Sequence, residues 1–156
     1  MLEAFRLCKA IHAATAFSGD GAALYGGRWN PPGMRCVYLA SSIALAQLEV
    51  LVHASGLEPR GYVVVRVSIP DGVARERIAL NSLGEKWRSQ PPTAETQLIG
   101  EEWLRKKRSC VLEVPSAVVP QEQNLLLNPE HREFGALSFG SPEPIEFDAR
   151  LFSPRH

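Results

Sequence analysis

The sequence predicts an α+β domain, built on a mixed or antiparallel sheet with helices on its flanks. The strand-like segments are short and unevenly spaced along the chain. The helical segments do not alternate with them as a doubly wound α/β fold requires. The 156 residues are about one domain long and contain no repeat, low-complexity tract or long linker. We therefore expect a single domain over residues 1–156.

The N-terminal third predicts two strands around a long loop, followed by a helix. Phe5–Cys8 is typical of a short first strand, and residues 18–32 are rich in Gly and Pro and indicate loop. Residues 36–40 have strand character. Ser41 or Ser42 then caps a helix to about Ala54, with Gly56 as its stop.

The rest of the chain predicts one further long helix and several short strands. The strongest strand pattern is the β-branched run 61–69, which Pro70-Asp71-Gly72 closes. The basic run 105–108 indicates a solvated helix end beside its own dipole more than a nucleic-acid site. The remaining predictions are strands over 77–80, 110–114, 117–119 and 145–147, a helix over 93–107 and a short helix near 130–134.

Composition excludes several classes of function. The chain has 17 Lys and Arg against 17 Asp and Glu, and this zero net charge argues against direct nucleic-acid binding, although it permits a local basic pocket for a phosphate. No apolar run is long enough to span a bilayer, and the N-terminus does not resemble a signal peptide. We expect a cytoplasmic protein with no membrane contact.

Metal and disulfide sites are not predicted. Cys8, Cys36 and Cys110 are widely spaced and form no Cys-x-x-Cys pair, which is typical of buried thiols in a reducing compartment. The histidines have no ligand spacing, so we expect neither a metal nor a resident cofactor. These histidines are His12, His53, His131 and His156.

Common nucleotide and hydrolase motifs are also absent. Gly19-Asp20-Gly21 opens like a dinucleotide fingerprint, but Leu24 occupies the third glycine position and no strong strand leads into it. There is no Walker A lysine, no Gly-x-Ser-x-Gly elbow and no His-Glu-x-x-His pair.

The segment Gly26-Gly27-Arg28-Trp29-Asn30 carries the first candidate site residue. Glycines allow close approach of the backbone to a ligand, and the guanidinium fork of Arg28 suits phosphate oxygens. The alternative is an arginine that packs on Trp29 or bridges a surface carboxylate.

Glu49 is the candidate acid. At 100° per residue it falls at the edge of an apolar arc formed by Ala44, Leu45, Leu48, Leu51 and Val52. A carboxylate at the border of core and cleft costs free energy unless it is paired or used. The alternative is a rim glutamate that reaches water or pairs with a nearby arginine.

Tyr38 and Ser116 complete the set from residue type and position. Strand alternation places Tyr38 on the face of Cys36 and Ala40, where it either faces a pocket or packs as an ordinary strand tyrosine. Ser116 follows Pro115 at a strand break, where its hydroxyl either meets a ligand or bonds its own backbone in a turn.

Several motifs in order resemble the RES domain, a family named for an arginine, a glutamate and a serine. The resemblance covers nearly the whole chain, although residues 71–110 carry no matching motif. The matching segments are Phe5-Arg6-Leu7, Phe17-Ser18-Gly19-Asp20-Gly21-Ala22, Gly26 to Asn30, Gly33, Val37-Tyr38-Leu39-Ala40, Leu45-Ala46-Gln47-Leu48-Glu49, Val114-Pro115-Ser116-Ala117 and Asn124 to His131.

The resemblance implies a fold similar to that of ADP-ribosyltransferase toxins and a role in a bacterial type II toxin–antitoxin system. RES proteins deplete NAD by cleaving its nicotinamide–ribose bond, and some are reported to ADP-ribosylate a protein. Their partner is an Xre-type helix-turn-helix antitoxin that covers the active site. NAD is thus the expected substrate, with water, phosphate or a protein as acceptor. A non-catalytic binding module that keeps the fold is the alternative.

The resemblance also assigns Arg28, Tyr38, Glu49 and Ser116 to the active site. Glu49 is expected to stabilise positive charge on the ribose, and Arg28 to bind the pyrophosphate. Tyr38 is expected against the nicotinamide or ribose, and Ser116 at the nicotinamide end or a phosphate. Arg6, on the first strand, is a second and weaker candidate for phosphate.

Overall fold

The computed structural model describes residues 1–152. The last four residues of the predicted 1–156 domain, which include His156, lie outside this range. The described part contains β1 Leu2–Lys9, α1 Asp20–Tyr25, β2 Val37–Ala40, α2 Ile43–Leu51, β3 Tyr62–Ile69, β4 Arg75–Arg77, α3 Ala94–Lys106, β5 Val111–Pro115, β6 Gln123–Leu127, β7 Ser138–Phe139 and β8 Glu143–Ile145.

All eight of these strands belong to one sheet. Their order is β4-β5-β6-β2-β1-β3-β7, and β8 also pairs with β3. Each neighbouring pair is antiparallel except β4 and β5, which run parallel. The prediction of a mixed sheet in an α+β fold is confirmed.

The sheet is weakly joined at its centre. β1 pairs with β3 through eight residue pairs but with β2 only at Phe5↔Ala40. β2, in turn, pairs with β6 through all four of its residues. The sheet therefore consists of two extensively paired sections, one ending at β2 and the other beginning at β1, which are joined by a single residue pair.

Side chains alternate between two apolar layers along the strands. On β6, Leu125 and Leu127 join a cluster with Val37, Leu39 and other residues on one face of the sheet. Leu126 points to the opposite face, where Trp103 and Leu104 of α3 pack on it. This period of two is the expected result of a strand buried on both faces.

The Gly- and Pro-rich segment is less irregular than predicted. Instead of continuous loop it contains α1, which Gly19 precedes and Gly26 follows. Both glycines have positive φ, 76° and 72°, which permits the chain to enter and leave this short helix abruptly.

The helix α2 begins as predicted but ends early, and its inner face was predicted only in part. Ser42 caps it by accepting a hydrogen bond from the Leu45 amide at 3.0 Å. The helix ends at Leu51, not near Ala54. The predicted apolar arc is only partly correct, because Leu45 is buried as expected whereas Leu48 and Val52 are exposed. Apolar residues lie on nearly every side of this helix, so periodicity alone did not define its inner face.

Several boundaries in the C-terminal two thirds also differ from prediction. The predicted strand over 77–80 is wrong, because β4 ends at Arg77 and a 3-10 turn covers Leu80–Ser82. Residues 117–119 form a turn, and the short helix expected near 130–134 is a turn followed by a 3-10 turn at Phe134–Ala136. The last predicted strand, 145–147, is β8 and lies two residues earlier.

Two strands were not predicted at all. β6 is the larger omission, since it occupies the middle of the sheet between β5 and β2. β7 is only two residues long and lies at the sheet edge. The run of three leucines in β6 has no alternation, which is why its sequence did not indicate a strand.

The helix α3 matches its prediction closely. It runs from Ala94 to Lys106 with Thr93 at its N-cap position, and its inner face buries Trp103 and Leu104. Its basic end is paired with carboxylates, in agreement with a solvated helix end: Arg105 with Glu101, Lys106 with Glu102, and Arg108 with Glu76. None of the helices over residues 1–152 is both long and apolar enough to cross a membrane.

Candidate active site

Glu49 is the centre of a polar cluster at one end of the sheet. The cluster lies where β2 and β5 end and β6 begins, and α2 crosses above it. One carboxylate oxygen, Oε1, accepts a hydrogen bond from the Ser116 hydroxyl at 2.7 Å and another from the Asn124 amide at 2.8 Å. Over the part of the chain that the structure describes, Oε2 accepts no hydrogen bond. The carboxylate is therefore held by one oxygen and offers the other.

Ser116 bonds its own backbone in a turn, which is one of the two alternatives in its sequence context, and it also binds Glu49. Its Oγ accepts hydrogen bonds from the amides of Val118 and Val119, at 3.1 and 3.0 Å, as a turn serine does. Its single proton goes to Glu49. The side chain is fully buried, and its donor and both acceptor positions are used. Ser116 thus holds Glu49, and the expected direct contact with a ligand does not fit this geometry.

Asn124 belongs to this cluster but was not predicted as a site residue. It lies on β6, in register with Ala40 of β2 and Val114 of β5. The sequence offered one signal for it, an asparagine immediately before three leucines. A polar side chain at the start of an apolar buried strand needs a partner, and here the partner is Glu49.

The loop that carries Arg28 is organised by buried polar contacts. Asn30 is fully buried, and its amide donates to the backbone carbonyls of Ala22, Pro31 and Met34. The chain turns back on itself at Gly27, whose amide donates to the Asn30 carbonyl at 2.9 Å. These contacts fix the backbone on both sides of Arg28.

The helix α3 supports this loop from behind. The Gln97 amide donates to the Gly27 carbonyl at 3.0 Å. Gly100 lies directly against the backbone of Trp29, so closely that a β-carbon at position 100 would overlap the Trp29 carbonyl. A glycine is required at this contact, because backbone cannot give way as a flexible side chain does.

The Arg28 side chain is held by a separate segment, residues 87–90. Its Nη1 donates to the carbonyls of Trp87 and Ser89 at 2.8 and 2.9 Å, and its Nη2 donates to the Gln90 side chain at 2.6 Å. Guanidinium has five N–H donors. Nε–H and one Nη2–H therefore have no partner within residues 1–152, and they remain for an anion.

This segment also connects the two ends of the site. Trp87 is buried, with its ring 6.5 Å from that of Trp29. The Nε of Arg88 donates to the Ala117 carbonyl at 2.9 Å, in the turn that follows Ser116. Residues 87–90 belong to the stretch 71–110, in which the sequence carried no motif matching the family. The structure packs 87–90 between the Arg28 loop and the Ser116 turn.

Tyr38 supports the Arg28 loop. Its hydroxyl donates to the Asn30 side chain at 2.5 Å and accepts from the Trp29 amide at 3.1 Å. Burial raises the pKa of Tyr38 well above its ordinary value, so the hydroxyl keeps its proton. The hydroxyl lies 2.6 Å from the position of a β-carbon on Gly27, which explains the second glycine of the motif.

Arg6 lies at the weak central junction of the sheet. Its Nη1 donates to the Tyr38 carbonyl at 3.0 Å, and its Nε is buried without a hydrogen-bond partner among the residues that the structure describes. Burial lowers the pKa of this guanidinium, while the neighbouring thiols of Cys8 and Cys36 raise it. The structure thus places Arg6 beneath Tyr38 and does not pair it with Arg28 or Glu49.

Arg28 and Glu49 lie close enough for their charges to interact, yet no ion pair joins them over residues 1–152. Burial lowers the pKa of the Arg28 guanidinium, Glu49 and Tyr38 raise it, and Arg88 lowers it further. Arg28 and Glu49 therefore do not neutralise each other as an ion pair within this range.

Two hollows of the surface lie away from these residues. One of about 330 Å³ is formed by α3 residues including Leu98 and Glu102, and one of about 230 Å³ lies beside Phe5 and Arg66. Neither contains Arg28 or Glu49. We locate the candidate site by its converging polar groups, because depth alone does not indicate chemistry. Within the described residues, no three His, Cys, Asp or Glu side chains are grouped to hold a metal.

The arrangement of arginine, glutamate and serine agrees with what a comparison of the whole chain finds. Residues 3–148 match the RES domain family. The chain belongs to the RES domain family. The expected resemblance is thereby confirmed, and it covers residues 71–110, where no individual motif was matched.

Relatives match the chain over most of its length. A protein of Yersinia enterocolitica named "Toxin Res" is 40% identical over 149 residues, which cover 94% of this chain and 97% of the relative. A protein of a Sphingobium species named "Prs ADP-ribosylating toxin" is 41% identical over 143 residues, covering 90% of this chain and 89% of the relative.

A solved structure shares the fold. The Mycobacterium tuberculosis MbcT–MbcA toxin–antitoxin complex contains a chain that superposes with a TM-score of 0.75 at 20% identity. The superposition covers 97% of this chain and 86% of that one. At this identity the likeness concerns the fold of the RES domain and not its chemistry.

Proposed function

We propose that this RES domain is the toxin of a toxin–antitoxin pair and that it cleaves the nicotinamide–ribose bond of NAD. The observation that carries the proposal is that, within residues 1–152, Arg28 and Glu49 each keep unpaired polar atoms for a ligand. Arg28 keeps two N–H donors for an anion, and Glu49 keeps one carboxylate oxygen for the opposite end of the ligand. The names of the relatives as toxins support the biological role.

In the proposed reaction the bond between the ribose carbon and the nicotinamide nitrogen breaks. The bonding electron pair leaves with nicotinamide, which becomes neutral, and positive charge develops on the ribose. Glu49 Oε2 stabilises that charge or holds a ribose hydroxyl. Because hydrogen bonds to Oε1 hold the carboxylate in place beforehand, little reorganisation accompanies the charge change.

The remaining residues bind and orient the substrate. Arg28 binds the pyrophosphate through Nε–H and the free Nη2–H, which is a charge-assisted contact of the kind phosphates favour. Ser116 acts through Glu49. Tyr38 holds the Arg28 loop through its hydroxyl while its ring is available to the nicotinamide or ribose, and Arg6 remains a second candidate for phosphate.

The acceptor of the ribosyl group is water or phosphate in this proposal. Incubation of the purified protein with NAD, with and without inorganic phosphate, tests it by mass spectrometry of the products. Free nicotinamide with ADP-ribose indicates hydrolysis, and a phosphorylated ADP-ribose indicates phosphorolysis. Intact NAD after prolonged incubation with folded protein would contradict the proposal and favour a non-catalytic binding module.

A second candidate is transfer of ADP-ribose to a protein. The Sphingobium relative, 41% identical, carries the name of an ADP-ribosylating toxin. Intact-mass measurement of protein targets in a lysate with labelled NAD distinguishes it from plain NAD breakdown, because only transfer leaves label on a protein.

We further propose that an Xre-type antitoxin covers the site. The shared fold with the toxin–antitoxin structure supports an antitoxin partner. Expression of the chain alone is expected to arrest growth, and co-expression of a neighbouring Xre-type gene is expected to relieve it. Normal growth with abundant folded chain would contradict the toxin role.

A further inference from the structure

We infer that Asn124 is a positioning residue for the proposed reaction, which directs Glu49 toward its substrate. The inference rests on the proposed function and adds to it a residue that the family motif of arginine, glutamate and serine does not include. Its basis is the hydrogen bond of 2.8 Å from Asn124 Nδ2 to Glu49 Oε1.

Two hydrogen-bond donors converge on one carboxylate oxygen of Glu49. Ser116 and Asn124 both donate to Oε1, from two different strands' ends. A carboxylate held at one oxygen by two donors has a fixed plane, and its second oxygen points away from them. Ser116 alone leaves the carboxylate free to rotate about a single contact.

The oxygen of the Asn124 amide, Oδ1, is buried and has no hydrogen-bond partner within residues 1–152. A buried acceptor without a partner is destabilising, and native structures retain few of them. Next to it, β6 continues as Leu125, Leu126 and Leu127, which bury without this penalty. Asparagine at position 124 is therefore poorly explained by stability and well explained by its contact with Glu49.

The orientation of the Asn124 amide is also determined by Glu49. If the amide were reversed, its oxygen would face the Glu49 carboxylate, and two acceptors would repel. Position 124 must supply a donor without adding negative charge. Asparagine does this, whereas leucine supplies no donor and ionised aspartate adds a second negative charge beside the first.

Two substitutions separate a positioning role from a structural one. Asn124→Leu removes the donor and the buried orphan acceptor together, so the protein should fold at least as well as the parent. Its kcat for NAD cleavage should fall about ten- to hundredfold, the scale of one hydrogen bond to a charged group. KM for NAD should remain within about twofold, because the contact orients the acid and does not hold the pyrophosphate.

The variant Asn124→Asp tests positioning through the pH dependence of kcat, which a purely structural role of Asn124 would not change. At neutral pH the introduced carboxylate repels Glu49, and kcat should lie below that of Asn124→Leu. When the introduced carboxyl is protonated it regains a donor, so the ratio of variant to parent kcat should rise as pH falls. The same ratio for Asn124→Leu should stay flat with pH.

A measurement without substrate separates failure of this inference from failure of the proposed function. The side-chain amide protons of Asn124, followed by ¹⁵N NMR, should exchange slowly in the parent and faster in Glu49→Ala. Equal exchange in the two proteins would overturn the inference even if NAD is never cleaved. Parent-like kcat in folded Asn124→Leu, or a flat pH ratio for Asn124→Asp, would overturn it in an active enzyme.

Discussion

The two halves of the candidate site are built in different ways. Glu49 lies on a helix, and the side chains that bind it come from the ends of two strands, β5 and β6. Arg28 lies in a loop, and carbonyl groups of residues 87–90, together with the Gln90 side chain, bind it. Side chains at the ends of strands therefore hold the acid, whereas the irregular segment 87–90 holds the cation.

The two halves should therefore respond differently to substitution. Substitutions at the acid should change the chemical step and leave the fold intact, because Glu49 lies on α2 and takes part in no strand pairing. Substitutions around the cation should change substrate binding and stability together, because its loop depends on contacts with α3, Tyr38 and segment 87–90.

The largest expected effect belongs to the acid. Glu49→Gln retains an oxygen that accepts from Ser116 and Asn124 but removes the charge, so kcat for NAD cleavage should fall by roughly two to three orders of magnitude. The melting temperature should change little. Glu130→Gln, at an exposed position, is the control. Parent-like cleavage by Glu49→Gln would remove the acid from the chemistry.

At the cation, Arg28→Ala should weaken substrate binding more than it slows the chemical step. Loss of a charge-assisted contact with phosphate should weaken NAD affinity about ten- to hundredfold, measured by calorimetry. Arg35→Ala, in the same loop but paired with Asp20 on the surface, should leave affinity unchanged. If both variants bind NAD as the parent does, the pyrophosphate does not lie at Arg28.

The contact between α3 and the Arg28 loop should tolerate no side chain. Gly100→Ala should cost about 1–3 kcal/mol in the free energy of unfolding, because the added methyl meets the Trp29 backbone. Gly21→Ala is the matched control, since open space surrounds that position. Urea unfolding measures both. Equal stability of Gly100→Ala and the parent would show that α3 does not fix this loop.

Tyr38→Phe should loosen the cation half while sparing the acid half. It leaves the Trp29 amide and the Asn30 oxygen unpaired, at a cost of about 1–3 kcal/mol in urea unfolding. Tyr25→Phe, at an exposed tyrosine, should cost nothing measurable.

The same substitution gives a pH test with a definite sign. Burial raises the pKa of Tyr38 in the folded protein above its ordinary 10.0. The stabilisation by the neutral hydroxyl is therefore complete below pH 10 and is lost as pH rises above it, by about 1.4 kcal/mol per pH unit. The stability gap between parent and Tyr38→Phe should narrow over that range. A gap that stays constant to pH 11 would contradict this account.

The smallest effect is expected at Gln90. Its side-chain oxygen occupies an N–H of Arg28 that a phosphate also suits, and the residue is exposed. Gln90→Ala should free that donor and lower KM for NAD by roughly two- to tenfold, the scale of one neutral hydrogen bond. Gln121→Ala, also exposed, is the control. A higher KM in Gln90→Ala would mean that Gln90 orients Arg28 and does not compete for it.

The acid half was the harder one to predict from sequence. Glu49 was singled out, but the inner face of its helix was predicted only in part, because apolar residues such as Leu48 lie on its solvent side as well. Asn124 was missed because β6 has no alternating pattern. Its contact with Glu49 spans 75 residues of sequence, and local patterns do not contain such pairings.

For the cation half, the sequence motif around Arg28 was predicted, whereas the side-chain contacts of Arg28 were not. The glycines around Arg28 indicated a tight backbone, and the structure gives each a steric reason in Tyr38 or Pro32. The partners of Arg28 in segment 87–90 were not predicted, because backbone carbonyls leave no trace in residue type. The overall α+β fold was predicted because strand and helix periods are local properties.

The long sequence separation within the acid half has a consequence for the life of the chain on the ribosome. Arg28 and Glu49 emerge early, whereas Ser116 and Asn124 follow 67 and 75 residues after Glu49. β6 also completes the middle of the sheet. A nascent polypeptide that lacks β6 therefore lacks the Asn124 side chain that binds Glu49. A polypeptide that ends before residue 116 lacks both side chains that hold the acid of the proposed reaction.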